Sequence, residues 1–337
     1  MKSKYVIING IEDVSILEED IDDNLSKDDY LIETEVSLIS AGTELSRVYG
    51  LKKGAKYPSR PGYCSVGKVL KVGNPDSKIK VGDRVLFSGP HASLSKFNPA
   101  TSDGSVLFKL DEKTDSIDGT FLEMCWIAMN GILPADVKLS DRVAVVGLGT
   151  LGLVCSLYYK QMGVDVVAIE PVAKRAQIAR ELGITTIDCP IENQVEEAMK
   201  ASDNKGYDIV VDATGLSVGI EFACKIAATY GQVLLMGSPR TDYVTNITET
   251  FSAIHMKMLT VIGALNRRYS YSNIPGTRLN MEKSLGYIEK LMNNQTINPK
   301  LFVSHIIEPN EEVLLEAYRG LMYDKEKYTG VIIDWRK

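Results

Sequence analysis

Val143-Ala144-Val145-Val146-Gly147-Leu148-Gly149-Thr150-Leu151-Gly152 is an apolar run closed by a GxGxxG turn. Its reading decides the fold. The apolar run predicts a buried strand, and the stretch Thr150–Met162 that follows reads as a helix. Gly147 permits the tight turn, Gly149 lets backbone approach a pyrophosphate, and Gly152 lets the helix pack closely on the strand. With Thr150 and Leu151 in the first turn of that helix, phosphates would meet its unpaired N–H groups and positive end.

Working outward, Val164–Ile169 is followed by Glu170, 23 positions beyond Gly147. An acid about 20 residues on accepts hydrogen bonds from a ribose hydroxyl, so the expected cofactor is NAD, favoured over NADP. Lys174 and Arg175 lie close by and oppose that preference by neutralising Glu170 or stacking on adenine. Apolar runs then alternate with helical stretches: Pro171–Leu182, Ile184–Ile187, Glu192–Ala201, Tyr207–Val211, Ser217–Tyr230, Gln232–Met236 and Leu259–Ile262. Pro171 is expected in the first turn of its helix and Gly183 at its stop. Such alternation specifies a doubly wound parallel sheet with right-handed crossovers. Ligands of such sheets lie beyond the carboxyl ends of the strands, which adds Ala213, Thr214, Gly237, Ser238, Gly263 and Ala264 to the expected cofactor site.

The first ~115 residues read differently. Tyr5–Ile8, Tyr30–Ser40, Ser65–Val72, Arg84–Phe87 and Val106–Leu110 are short strands at the spacing of a small barrel. Glu12 to Asp29 carries nine acids against one Lys and reads as a solvated face. Met281–Met292, Glu311–Tyr323 and Gly330–Asp334 lie outside the alternating series and complete the first domain. The expected organisation is a catalytic domain over 1–125, a nucleotide domain over 126–265 and a returning segment over 266–337.

The composition of the 337-residue chain agrees with an α/β protein of two domains. A net charge of −6 without a basic block argues against nucleic acid as partner. No apolar stretch reaches the ~20 residues of a membrane helix, and the four-residue run Tyr5–Ile8 is too short for a signal peptide. Five scattered cysteines, never arranged as CxxC, offer neither a zinc ribbon nor a disulfide framework. A cytoplasmic protein acting on a small molecule is expected.

On Ala41-Gly42-Thr43-Glu44, Pro61-Gly62-Tyr63-Cys64-Ser65-Val66-Gly67-Lys68-Val69, Val81-Gly82-Asp83-Arg84-Val85, Gly147 to Gly152 and Asp212-Ala213-Thr214-Gly215, the whole chain resembles the medium-chain dehydrogenase/reductase superfamily. That resemblance implies a GroES-like β-barrel, a Rossmann domain and a C-terminal tail that returns to the barrel. Zinc-dependent members carry Cys at Ala41 and Gly-His-Glu at Gly62-Tyr63-Cys64, and Ala cannot ligate zinc. Glu123 is similar to the position of a third ligand in some members, and a single carboxylate does not hold the metal. Ser88 to Ser105 lacks the four cysteines of the structural zinc. Both metal sites are expected empty, as in a zinc-free branch similar to bacteriochlorophyllide dehydrogenase.

The resemblance therefore implies alcohol–ketone or aldehyde interconversion by hydride transfer, with hydroxyl groups in place of zinc. Tyr63 is expected to bond the substrate oxygen, Thr43 to relay the proton, Glu44 to orient the tyrosine and Glu123 to supply a base. For Glu123 a salt bridge on a helix is the structural alternative; for Tyr63 it is a barrel tyrosine with a surface hydroxyl. His91, His255 and His305 read as structural. Asn266-Arg267-Arg268 would clamp an anionic substrate group or form a solvated surface pair. A quinone or enoyl reductase, and a non-catalytic NAD(H)-binding protein, are the alternative functions. Leu259–Ile262 reads as an edge strand able to pair across a two-fold axis, so a homodimer or homotetramer is expected.

Overall fold

The computed structural model describes residues 1–51, 54–101, 105–266, 277–278 and 280–337. Its contacts divide the chain into two units: Met1–Trp126 with Ser270–Lys337, and Ile127–Tyr269. Arg267 and Arg268 lie outside the described residues, so the expected anion clamp does too.

In the first unit, β1 (Lys2–Gly10) and β2 (Asp13–Asp20) form an antiparallel hairpin with Tyr5 opposite Leu17 and Ile8 opposite Val14. The strand β2 lies within the acidic segment, which does present a solvated face. Val14 is buried on the inner face, while the acids of Glu18-Glu19-Asp20 sit on the hydrogen-bonded ladder with their side chains in or near solvent. Glu19 meets Arg60 through two bonds of 2.6 and 2.7 Å, the bidentate geometry that suits guanidinium and carboxylate.

The remaining strands of this unit are β3 (Tyr30–Leu38), β4 (Ser65–Val72), β5 (Arg84–Phe87), β6 (Leu94–Phe97), β7 (Leu107–Lys109), β14 (His305–Ile307) and β15 (Val331–Asp334). They make a mixed seven-stranded sheet in the order β14-β15-β3-β4-β5-β7, with β6 also on β3. The last strand of the chain thus pairs with the third, Ile333 opposite Ser37. Two helices of the C-terminal segment, α8 (Met281–Asn293) and α9 (Glu311–Tyr323), also belong here. Leu314, Ala317, Tyr318 and Leu321 of α9 fall at helical spacing and bury against Val6, Leu45, Val331 and Trp335. Each such side chain taken out of water contributes roughly 1.5–3 kcal/mol. A short helix α1 (Ala41–Val48) and a longer one, α2 (Ser116–Ile132), complete the elements that carry site residues.

The second unit alternates β8 (Arg142–Val146), α3 (Thr150–Gln161), β9 (Asp165–Ile169), α4 (Ala173–Glu181), β10 (Thr185–Ile187), α5 (Gln194–Ala201), β11 (Tyr207–Asp212), α6 (Ser217–Ile226), β12 (Ala227–Leu235), α7 (Ile247–Lys257) and β13 (Thr260–Gly263). The six strands are parallel in the order β10-β9-β8-β11-β12-β13. Numbered from the first strand of this unit, that is 3-2-1-4-5-6, the dinucleotide-fold order, with its reversal point between β8 and β11. Val143, Ala144 and Val145 are fully buried, as a strand covered on both faces requires.

Two boundaries differ from expectation. Pro171 lies before α4 rather than in its first turn, because Val172 is extended (φ −83°, ψ 111°) and the helix begins at Ala173. The stretch expected as one helix to Tyr230 ends at Ile226, and the chain passes straight into β12. Tyr230 has φ +64°, a left-handed conformation that no helix continues through.

Candidate cofactor site and hydroxyl cluster

In the second unit, each glycine of the GxGxxG turn answers to a different steric demand. Gly147 has φ +86°, and a Cβ there would stand 3.0 Å from Thr214 Cγ2. A Cβ on Gly152 would stand 1.9 Å from the Gly147 carbonyl oxygen, so the helix can lie against the turn only without a side chain. Gly149 is different: a Cβ there meets nothing within 4 Å, so it faces open space. It is also the N-cap of α3 and offers no side-chain cap, which leaves the first N–H groups of the helix to an outside acceptor. An uncapped helix start beside an open glycine is what a bound pyrophosphate needs, and the residues fit a dinucleotide.

Glu170 directly follows β9 and is 3% exposed. Its carboxylate accepts the Leu148 N–H at 2.6 Å and the Val172 N–H at 3.0 Å. The acid therefore fastens the glycine turn, and its two accepted bonds leave lone pairs unused. Thr150 and Leu151 are partly buried in the first turn of α3, and Arg175 is partly buried on α4.

The ends of the neighbouring strands close on this turn. The Ala213 N–H donates to the Val146 carbonyl (3.0 Å) and the Gly237 N–H to the Asp212 carbonyl (2.9 Å). Gly237 packs so closely on Gly215 that a Cβ would lie 2.1 Å from its nitrogen. Thr214 donates its N–H (3.0 Å) and hydroxyl (2.6 Å) to Asp212 Oδ1. Ser238 and Gly263 are exposed at the ends of β12 and β13, whereas Ala264 is buried. Sequence reasoning quoted Asp212 only within its motif and passed over Arg240. Asp212 is wholly buried with Oδ2 lacking a hydrogen-bond partner, and burial raises its carboxyl above the usual range against the pull of Thr214 and Arg240. Arg240 bonds the Thr214 carbonyl at 3.5 Å, and its guanidinium is held down by burial. A charged residue in a loop after β12 carries no periodic signal to single it out.

In the first unit, the residues expected to do chemistry gather around Tyr63. The Tyr63 hydroxyl lies 2.5 Å from Ser40 Oγ and 3.5 Å from Met124 Sδ. Burial pushes this phenol well above the usual tyrosine range, aided by Cys64 and Glu123, while hydrogen bonds from Ser40 and Thr43 pull it partly back. Thr43 is exposed in the first turn of α1. Glu44 does not touch Tyr63 itself: its carboxylate accepts the Ser40 N–H (2.7 Å), the Tyr318 hydroxyl (2.7 Å) and His91 Nε2 (3.2 and 3.1 Å). His91 is fully buried and its Nδ1 lies 2.8 Å from Ser37 Oγ, a structural role. The Ser40–Glu44 bond is local, four positions apart, but His91 and Tyr318 could not be joined to Glu44 from spacing, because α1, the segment before β6 and α9 meet only in the folded unit.

Glu123 on α2 is 5% exposed and has the Ser88 hydroxyl as its hydrogen-bond partner, at 3.2 and 3.1 Å from its two oxygens. No salt bridge to it occurs among the described residues, which corrects that alternative. Burial raises its carboxyl to about 8, with Ser88 opposing. Cys64 is buried beside these groups, and its thiol is pushed well above the usual range by burial and by the charges of Glu123 and Glu44. Among the described residues, no group of three or more His, Cys, Asp and Glu could hold a metal ion.

The parallel 3-2-1-4-5-6 sheet and the separate mixed sheet define an alcohol-dehydrogenase-like architecture, and residues 150–276 match the family model described as zinc-binding dehydrogenase. Galactitol-1-phosphate dehydrogenase from Escherichia coli superposes with a TM-score of 0.82 at 20% identity, over 98% of this chain and 99% of that one. L-threonine 3-dehydrogenase from Caldanaerobacter subterraneus is 25% identical over 72% of this chain and 78% of its own length. D-guloside 3-dehydrogenase from Escherichia coli is 28% identical over 51% of this chain and 49% of its own length. These matches support the medium-chain, alcohol-dehydrogenase-like superfamily. No helix among the described residues is long and apolar enough to cross a membrane.

Proposed function

We propose that this protein is an NAD-dependent dehydrogenase that interconverts an alcohol and a ketone or aldehyde without catalytic zinc. The observation that carries the reading is the uncapped, open-faced glycine turn of α3 tied to the Glu170 carboxylate. The names of the relatives agree with it, all three being dehydrogenases of hydroxyl-bearing compounds. Gly147, Gly149, Gly152 and the first N–H groups of α3 would hold the pyrophosphate, and Glu170 the adenosine ribose, which favours NAD over NADP. Bound there, the nicotinamide ring supplies the hydride acceptor.

A catalytic zinc does not fit the donor set of this chain. Four-coordinate zinc needs deprotonated Cys, neutral His or carboxylate ligands. Ala41 has no donor atom, the Tyr63 hydroxyl is engaged by Ser40, and the Cys64 thiol is held in its protonated form by burial beside Glu123. Tyr63 would instead hold the substrate oxygen through its hydroxyl, with Thr43 at the exposed end of the cluster and Glu123, buried and titrating near 8, as a reservoir for the proton. A homodimer or homotetramer is part of the same reading, supported by β13 at the sheet edge with Thr260, Val261 and Gly263 exposed.

The test is turnover. Purified protein is assayed with NAD or NADP against a panel of vicinal diols and sugar alcohols, and with NADH or NADPH against quinones and enones, alongside metal analysis. NAD reduction by an alcohol with substoichiometric zinc is the expected result. Turnover confined to quinones or enones, or stoichiometric zinc with activity lost on chelation, would overturn it.

A further inference from the structure

Ser40 is the N-cap residue of α1, and serine at that position ordinarily turns its hydroxyl inward to accept an N–H of the first turn. Here it makes no side-chain cap bond. The loss of such a cap costs about 1 kcal/mol, so a second interaction must hold the helix start. Glu44 supplies it by reaching back to accept the Ser40 N–H at 2.7 Å. The freed hydroxyl points to Tyr63 at 2.5 Å.

The network behind Glu44 is directional. Trp335 Nε1–H donates to Ser37 Oγ at 2.9 Å, and Ser37 in turn stands 2.8 Å from His91 Nδ1. Because a carboxylate only accepts, the hydrogen-bond pattern assigns the imidazole proton to Nε2, facing Glu44, and leaves Nδ1 to accept from Ser37. Tyr318 closes the other oxygen at 2.7 Å. Three donors, the Ser40 N–H, His91 Nε2–H and the Tyr318 hydroxyl, converge on the one Glu44 carboxylate and hold it in place. At the far end, the Met124 sulfur can only accept from Tyr63, so the Ser40 hydroxyl is available to donate to the phenolic oxygen.

The geometry points to Ser40 as the positioning residue of Tyr63: it has given up capping α1 to hold and polarise the tyrosine hydroxyl, and Glu44, locked by His91 and Tyr318, is what releases it. This rests on the reading of Tyr63 as the group that meets the substrate oxygen. A chain that breaks the local capping rule and compensates with a buried network does so where function requires the broken position.

Two measurements test it on the full chain. In protein carrying 13Cζ-tyrosine, the Tyr63 resonance is assigned by its disappearance in Tyr63→Phe. It should shift in Ser40→Ala and return in Ser40→Thr, which keeps the hydroxyl. With the best substrate of the alcohol panel, Ser40→Ala should lower kcat about tenfold or more with KM for NAD unchanged, Ser40→Thr should restore most of it, and Ser40→Ala added to Tyr63→Phe should cost nothing further. An unmoved resonance in Ser40→Ala overturns the role of Ser40 while leaving Tyr63 untouched. Full turnover in Tyr63→Phe instead removes the tyrosine itself from the mechanism, and the inference falls with it.

Discussion

His91 Nε2 lies 3.1 Å from Glu44 Oε2, and neither side chain is more than 2% exposed. In such surroundings the cost of breaking the pair exceeds the worth of forming it, because the carboxylate left behind loses a donor that water cannot replace. His91→Ala should therefore lower unfolding free energy by about 3 kcal/mol in urea titrations. A loss below about 1 kcal/mol would show that the pair is not the anchor of this region.

Gly149→Ala and Gly152→Ala should separate binding from folding. The added methyl at Gly149 has open space and should leave the melting temperature unchanged, yet it intrudes where a pyrophosphate would approach. Affinity for NADH, read by calorimetry, should fall about tenfold or more, which is about 1.4 kcal/mol. At Gly152 the methyl meets the Gly147 carbonyl at 1.9 Å, and overpacking of roughly 1–3 kcal/mol should lower the melting temperature first. Equal melting temperatures in the two variants would contradict this assignment.

Glu170→Gln tests the link between turn and cofactor choice. The amide oxygen can still accept the N–H of Leu148, while the amide nitrogen loses the bond from Val172, so the fold should persist with a loss of about 1–3 kcal/mol. Removal of the negative charge should narrow the preference for NAD over NADP about tenfold in kcat/KM. Unaltered discrimination would confine Glu170 to its structural bonds.

Glu123 gives a pH signature. Its folded-state value of about 8 lies above its ordinary 4.5, so the native state favours the protonated acid. The stability this brings is fully present below about pH 4.5, declines as pH rises and is lost above about pH 8. Glu123→Gln, neutral at every pH and able to bond Ser88, should melt close to the wild type at pH 5 and on the order of 5 °C higher at pH 9. The same difference at both pH values would mean that the carboxyl does not titrate in this range.

Much of the second unit was legible because its signals are local. The apolar strand Val143–Val146, the three glycines and Glu170 lie within one βαβ span, where sequence distance and spatial distance nearly coincide. Steric demands at Gly147 and Gly152 are written into the chain itself, since no other residue tolerates those positions. The helix start at Ala173 and the break at Ile226 were less legible, because the extended backbone of Val172 and Ala227 is a state that residue type does not announce.

The hydroxyl cluster belongs to tertiary structure. The family resemblance nominated Tyr63, Thr43, Glu44 and Glu123, yet it gave no partners to Glu44 and no role to Ser40, which lies between Glu44 and Tyr63. Glu44 and Tyr318 stand 274 positions apart and Ser37 and Trp335 298 apart, joined because the last strand pairs with the third. By itself, the sequence determined a parallel-sheet α/β domain, through periodicity and glycine sterics that act over a few residues. Only the folded chain decided which oxygen accepts from which donor, because a buried hydrogen bond depends on fractions of an ångström set by packing from elements far away in the chain.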